Sequence, residues 1–140
     1  MNTTVWSARL LGIGGVLETG AGLGLLVAPS ALSNILLQSP LSGPGVVVGR
    51  IAGGGLLGLG IACWCARTTP LSPAGRGAAW GLLGYNLVAC VTLACAGAAS
   101  VGAAPGGGGL VALAAAALHG VLGAGLLFAL ARRDQSSTTP

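Results

Sequence analysis

Four long stretches of the chain are almost entirely apolar, and short segments containing glycine, proline and polar residues separate them. Each stretch has about the twenty residues that an α-helix needs to cross a ~30 Å hydrocarbon core at ~1.5 Å per residue. The pattern therefore predicts four membrane-spanning helices in a single domain over residues 1–133. Their expected bounds are about 7–28, 45–66, 77–98 and 110–131.

The segment between the first two stretches has a pattern of its own. Apolar residues recur there at helical spacing with polar residues between them, which predicts a short helix over about 30–37 on the outer membrane surface. A plain connector with a few buried leucines is the alternative. The apolar positions are Ala31, Leu32, Ile35 and Leu36.

The remaining connections and the glycines complete the predicted architecture. Short loops make consecutive spans antiparallel neighbours, so we expect an all-α bundle with up-down-up-down topology. Pro105 and Gly106–Gly109 predict a flexible linker, and residues 134–140 predict a disordered tail. Glycines four residues apart share one helix face and predict close helix contacts. The pairs are Gly20/Gly24, Gly49/Gly53, Gly54/Gly58 and Gly77/Gly81.

The composition agrees with a membrane protein. The 140 residues are 54% hydrophobic and only 6% charged, whereas a soluble domain has about 25% charged residues. The six basic residues are all arginines, which indicates a GC-rich and hence bacterial genome. They form no basic stripe with interleaved aromatic residues, so the sequence predicts no nucleic-acid binding.

The arginines also predict the orientation of the chain. Five of the six lie between the second and third spans or near the two termini, whereas segments 29–44 and 99–109 carry no charge. Cytoplasmic loops carry the excess of basic residues, so we expect both termini on the cytoplasmic side of a bacterial inner membrane. The arginines concerned are Arg9, Arg67, Arg76, Arg132 and Arg133.

A cleaved signal peptide is the alternative interpretation of the first apolar stretch. Residues 31–33, Ala-Leu-Ser, loosely resemble a cleavage site for small residues. Glu18 interrupts the apolar run, however, and the run is longer than a signal peptide requires. We therefore interpret residues 7–28 as the first span.

Several spans each have one strongly polar residue near their middle. Counted from the inner surface, Glu18 lies at ~15 Å, Asn86 at ~13–14 Å and His119 at ~16–17 Å. Arg50 lies about one turn higher, and Tyr85 adjoins Asn86 but points ~100° away around the helix. A charge at the bilayer centre costs ~2.5–3.5 kcal/mol on insertion scales, so such groups face the bundle interior. We expect Glu18 to pair with Arg50 or His119.

This polar layer is the candidate site, and three function classes remain open. In the first, it binds or passes a small polar ligand, a lipid head group or a proton. Glu18 would then be the charge partner, Arg50 the anion contact, His119 the titrating group and Asn86 a hydrogen-bond donor and acceptor, with Tyr85 beside them. In the second, the layer only sets helix register in a non-catalytic accessory or structural subunit. Expected partners are membrane lipids and either a second copy, giving a homo-oligomer, or another membrane protein.

An enzyme is the third class and the least favoured. The sequence has no glycine-rich phosphate loop, no His-Glu-x-x-His motif and no nucleophile elbow. Cys63 and Cys65 are two residues apart and point ~200° away from each other on a helix, which suits neither a disulfide nor a joint metal site. We predict no metal site, no cofactor and no catalytic residue, and interpret the cysteines as small packing residues.

Several short stretches together resemble a known group of proteins. They are Ala28-Pro29-Ser30 with Leu36-Leu37, Gly49-Arg50-Ile51-Ala52-Gly53, residues 59–67, Tyr85-Asn86-Leu87 and Leu118-His119. Over about residues 9–130 the chain resembles a family of small uncharacterised four-helix bacterial inner-membrane proteins, and its layout is distantly similar to the DoxX-like group. The resemblance implies a four-span membrane protein. It implies no established reaction and transfers no catalytic residues.

Overall fold

The computed structural model describes residues 3–101 and 108–136, which form five helices and no strand. Four of these helices, α1, α3, α4 and α5, are long and apolar enough to cross a membrane. The predicted all-α class with four spans is thus confirmed, and the chain is a multi-pass membrane protein. The helices are α1 Thr3–Val27, α2 Pro29–Leu37, α3 Pro44–Ala66, α4 Pro73–Ser100 and α5 Gly108–Ser136.

Local sequence signals fix where the middle helices begin and end. Each of α2, α3 and α4 begins with a proline, which has no backbone N–H to leave unpaired in the first turn. The Ser72 hydroxyl caps α4 by accepting a hydrogen bond from the Gly75 backbone nitrogen at 3.0 Å. Gln38 ends α2 in the left-handed region, with φ of 53°, and its backbone N–H donates to the carbonyl of Asn34 at 2.9 Å.

The last helix is longer than its apolar stretch. Residues 134–136 continue α5, where the sequence predicts a disordered tail, and residues 137–140 lie outside the described part. Residues 132–136 include no proline or glycine, so nothing forces the helix to end at the apolar run. Gly108 and Gly109 of the predicted flexible linker already belong to α5, and the rest of that linker, Pro105 included, lies outside the described residues.

The long helices form two tight antiparallel pairs, α1 with α3 and α4 with α5. A methyl group on Gly60 of α3 would lie 2.7 Å from the backbone nitrogen of Thr19 on α1. A methyl group on Gly97 of α4 would lie 2.9 Å from the carbonyl oxygen of Gly109 on α5. The backbones of each pair therefore approach as closely as small residues allow.

The glycines of the predicted pairs differ in whether another helix packs against them. Gly53 lies against the carbonyl oxygen of Gly22 on α1, which would be 2.8 Å from an added methyl group. Four others have no atom of a neighbouring element within 4 Å of such a group. The spacing shows which glycines share a helix face but not whether another helix covers that face. These four are Gly20, Gly54, Gly58 and Gly77.

The two ends of the bundle differ in charge. We call the end with the start of α1 and the 67–72 loop the arginine end, and the opposite end, which carries α2, the α2 end. At the arginine end the Arg67 guanidinium carbon lies 3.9 Å from the centre of the Trp64 ring. Arg132 lies in the same way over Phe128, at 4.3 Å. Such contacts hold a cation over an aromatic face at a membrane boundary.

The main cluster of buried apolar side chains fills one half of the bundle, although Ala112 and Ala116 are also buried in the other half. Its members lie between the level of Glu18 and the arginine end on all four long helices. On the outside, large side chains such as Ile51 and Val121 are 71% and 72% exposed, as expected for surfaces that face lipid. The core consists of Leu10, Leu11, Cys63, Ala66, Ala79, Leu82, Leu83, Leu122, Leu126, Ala129 and Leu130.

Candidate functional site

Glu18 is buried where the core ends. Its side chain is 1% exposed, and its Oε1 atom has no hydrogen-bond partner among the described residues. Tyr85 on α4 is its hydrogen-bonding neighbour, and the phenolic O–H is the donor of that pair. The thiol of Cys63, fully buried on α3, lies within electrostatic range of the carboxyl group. Three helices thus enclose the carboxyl group.

His119 joins α5 to the same group of side chains. Its Nδ1 lies 2.9 Å from Oδ1 of Asn86. The imidazole ring also meets the Tyr85 ring edge-to-face, with the ring centres 5.6 Å apart and the planes at 82°. Glu18, Tyr85, Asn86 and His119 therefore form one connected set, which we call the polar cluster.

Both the nitrogen and the oxygen of the Asn86 side-chain amide are hydrogen-bonded. It is fully buried, and its Nδ2 donates to the carbonyl oxygen of Leu82, one turn earlier on α4, at 2.8 Å. A carbonyl oxygen accepts only from a donor, so the NH₂ group must face Leu82 and the amide oxygen must face His119. The orientation of the amide is thus fixed by its own helix.

A cavity of about 530 Å³ extends from the polar cluster towards the α2 end. Tyr85 and His119 line one part of its wall, and Ser33 and Thr92 are the other polar side chains that line it. The rest of the wall is apolar and includes side chains from all five helices. Examples are Leu25, Leu32, Leu36, Leu56, Leu93 and Ala115.

Arg50 does not belong to this arrangement. It is exposed near the beginning of α3, whereas Gly60, about ten residues later on the same helix, lies against Thr19 next to Glu18. At ~1.5 Å per residue, Arg50 is therefore ~15 Å along the bundle from the level of Glu18. The expected pairing of Glu18 with Arg50 or His119 is not found among the described residues, where Tyr85 takes that place.

The error in the position of Arg50 has a physical cause. Depths counted from the ends of apolar stretches assume that every span starts at the same level of the membrane. In the structure the closest contacts of α1 and α3 set their relative height, and glycine backbones decide where those contacts fall. No local pattern in the sequence predicts that α2 completes a cavity between His119 and the α2 end, because that depends on how α2 packs against α5.

No match was found when the chain was compared with protein-family models, with curated proteins and with solved structures. The fold and the polar cluster are therefore the features that indicate a function. Together they define a multi-pass helical membrane protein with a cavity that reaches a buried polar cluster. Within residues 3–101 and 108–136 no three His, Cys, Asp or Glu side chains come together in a way that would hold a metal ion.

Proposed function

We propose that the protein binds a small lipid-soluble molecule in the cavity at the α2 end, with the polar group of that molecule against Tyr85 and His119. The observation that carries this proposal is the position of the two polar rings in the wall of an otherwise apolar cavity. Small-molecule sites commonly have volumes of ~300–1,000 Å³, apolar walls and a few polar groups that orient the ligand. The cavity of about 530 Å³ fits that description.

The filled core supports binding rather than passage. Leu11, Leu82 and Leu126 are each no more than 2% exposed, and they lie between the polar cluster and the arginine end. A ligand or proton that reaches His119 from the α2 end meets packed apolar side chains beyond it. A path through this chain would require those side chains to separate, whereas a binding site does not.

The proposed location is a bacterial inner membrane with the arginine end in the cytoplasm. Arg9, Arg67, Arg76 and Arg132 all lie at that end, and an excess of basic residues marks the cytoplasmic side. The cavity would then lie in the outer half of the bilayer. Its ligand would come from the membrane or from the outer surface. This location agrees with the proposed relationship to the four-helix inner-membrane family.

A second candidate function is that of an accessory subunit. Gly54, Gly55 and Gly58 form an exposed patch on α3, and no atom of a neighbouring element lies within 4 Å of a methyl group placed on any of them. Small residues let transmembrane helices approach closely, so this patch would suit glycine-mediated packing against a second copy or another membrane protein. In that case the polar cluster would only set the helix register.

Photolabelling tests the binding proposal. The probe is a twelve-carbon alcohol with a diazirine in the middle of its chain, added to the purified protein in phospholipid vesicles. Adducts located by mass spectrometry are expected on cavity residues such as Leu36 and Leu93. The Ala115→Phe variant, which places a ring in the cavity wall, should lose most of these adducts.

The control variant lies on the same helix and is labelled with the same probe. Ala117, two residues from Ala115, is exposed and does not line the cavity, so Ala117→Phe should leave the labelling unchanged. Labelling that is spread evenly over lipid-facing residues such as Val48 and Val121, and that Ala115→Phe does not alter, would overturn the proposal. That result would leave the accessory-subunit function as the better account.

A further inference from the structure

The hydrogen bond between His119 and Asn86 fixes which ring nitrogen carries the proton. The amide oxygen of Asn86 can only accept, because the Asn86 NH₂ group is turned towards the carbonyl of Leu82. The 2.9 Å contact therefore requires His119 Nδ1–H as the donor. As long as the ring is neutral, its other nitrogen, Nε2, then has a free lone pair and no proton.

The other polar side chains that line the cavity have already used their donors. The Ser33 hydroxyl donates to the carbonyl of Ser39 at 2.6 Å, and the Thr92 hydroxyl donates to the carbonyl of Val88 at 2.8 Å. The Tyr85 hydroxyl is directed to Glu18. Among the described side chains of the cavity wall, only acceptor lone pairs are left for a ligand, and His119 Nε2 is the strongest of them.

We infer that the cavity selects molecules that bring their own hydrogen-bond donor, namely a hydroxyl or amine group on an apolar body, and that His119 Nε2 accepts it. This inference rests on the proposed function and names its ligand class. A ketone, ester or ether of the same shape offers only acceptors and would leave two lone pairs facing each other. A buried polar group without a partner costs more than an ordinary hydrogen bond gains.

Asn86 has the role of a positioning residue in this account. It is fully buried and does not line the cavity, so it acts on a ligand only through His119. Asn86→Leu removes the acceptor for Nδ1–H and frees the ring to hold its proton on either nitrogen. His119→Phe keeps a ring in the wall but removes the acceptor nitrogen altogether.

Nitrogen NMR tests the tautomer directly on the unaltered protein. His119 is the only histidine, so ¹⁵N-histidine labelling gives one pair of imidazole signals. The spectrum is recorded in phospholipid vesicles at ~pH 8, above the ordinary range of histidine titration. The inference predicts a protonated Nδ1 and an unprotonated Nε2. A proton on Nε2, or on both nitrogens, would overturn it.

Competition between matched probes tests the selection. Dodecanol and dodecyl methyl ether, which have the same apolar chain, compete with the photoreactive alcohol for the cavity. Dodecanol should reduce the labelling by half at about five- to tenfold lower concentration than dodecyl methyl ether, as expected for one additional hydrogen bond. His119→Phe should abolish this preference, and Asn86→Leu should weaken it together with the change in the nitrogen spectrum.

The outcomes separate the two proposals. If alcohol and ether compete equally well, the cavity binds lipid-soluble molecules but does not select for a donor, and this inference fails alone. If neither competes and labelling stays on the lipid-facing surfaces, the proposed function fails. If the preference survives in His119→Phe, another group makes the contact and the assignment to His119 is wrong.

Discussion

The closest approach of α1 and α3 gives a prediction whose size follows from the geometry. A methyl group added at Gly60 would lie 2.7 Å from the backbone nitrogen of Thr19 and 2.8 Å from the carbonyl oxygen of Gly15. These two are backbone atoms and cannot rotate away as a side chain would, and the hydroxyl oxygen of Thr19 would lie even closer to the added methyl group. An optimal contact is ~3.5 Å or more, so Gly60→Ala must push the two helices apart by roughly 0.7 Å.

A separation of that size weakens the whole contact between the helices. A radial gap of ~0.5–1 Å forfeits about a quarter to a half of the van der Waals attraction of every atom pair across it. Overpacking of a tight interior typically costs ~1–3 kcal/mol. We therefore expect Gly60→Ala to lower the free energy of unfolding by about that amount.

A glycine one half-turn away provides the matched control. Gly58 is exposed on the same helix and an added methyl group there has no neighbouring element within 4 Å. Gly58→Ala should leave the stability unchanged or raise it by up to ~1 kcal/mol, because alanine favours the helix over glycine. Equilibrium unfolding by sodium dodecyl sulfate in mixed micelles measures both variants. Equal effects of the two substitutions would refute the proposed helix contact.

Three further experiments test other parts of the structure. A double-mutant cycle of Glu18→Leu and Tyr85→Phe, each of which removes one partner of the hydrogen bond, should give a coupling of about 0.6 kcal/mol and at most about 1.7 kcal/mol in unfolding, as for hydrogen bonds between other membrane helices, and no coupling would contradict their contact. Arg50→Gln should change the free energy of unfolding by less than ~0.5 kcal/mol and leave photolabelling unaltered, since Arg50 is exposed and remote from the polar cluster. A loss of labelling in this variant would show that Arg50 does contribute to the site. Ser33→Ala removes the donor to Ser39 and should speed hydrogen exchange in α2 several-fold, whereas unchanged exchange would show that this bond does not hold the helix.

Much of the architecture could be predicted from the sequence, because a lipid environment restricts the possibilities. Backbone groups in a bilayer must be paired internally, so long apolar stretches can only be helices or closed barrels. The helical rise per residue then predicts similar depths for Glu18, Asn86 and His119. In the structure His119 bonds Asn86 directly, and Tyr85 connects both to Glu18. Periodicity and length are sufficient for inferences of this kind.

The parts that could not be predicted depend on contacts between elements. The height of α3 relative to α1 follows from which glycine backbones touch, and this decided that Arg50 is far from Glu18. Likewise, Tyr85 and Asn86 point to different sides of α4, yet both contact His119 because α5 packs over the turn that carries them. The cavity requires α2 to pack at the end of the bundle, which no local pattern specifies.

The register of α4 against α5 is the part of the account on which the polar cluster depends most, and one engineered disulfide measures it. A methyl group on Gly120, next to His119, would lie 3.3 Å from the Sγ atom of the native Cys90. The Gly120→Cys variant should therefore form an intramolecular disulfide with Cys90 under mild oxidation, identified by mass spectrometry of the digested protein. It should disappear when Cys90 is replaced by alanine. If residue 120 instead joined Cys95, or stayed reduced, His119 would not lie beside Asn86 and the proposed site would not exist.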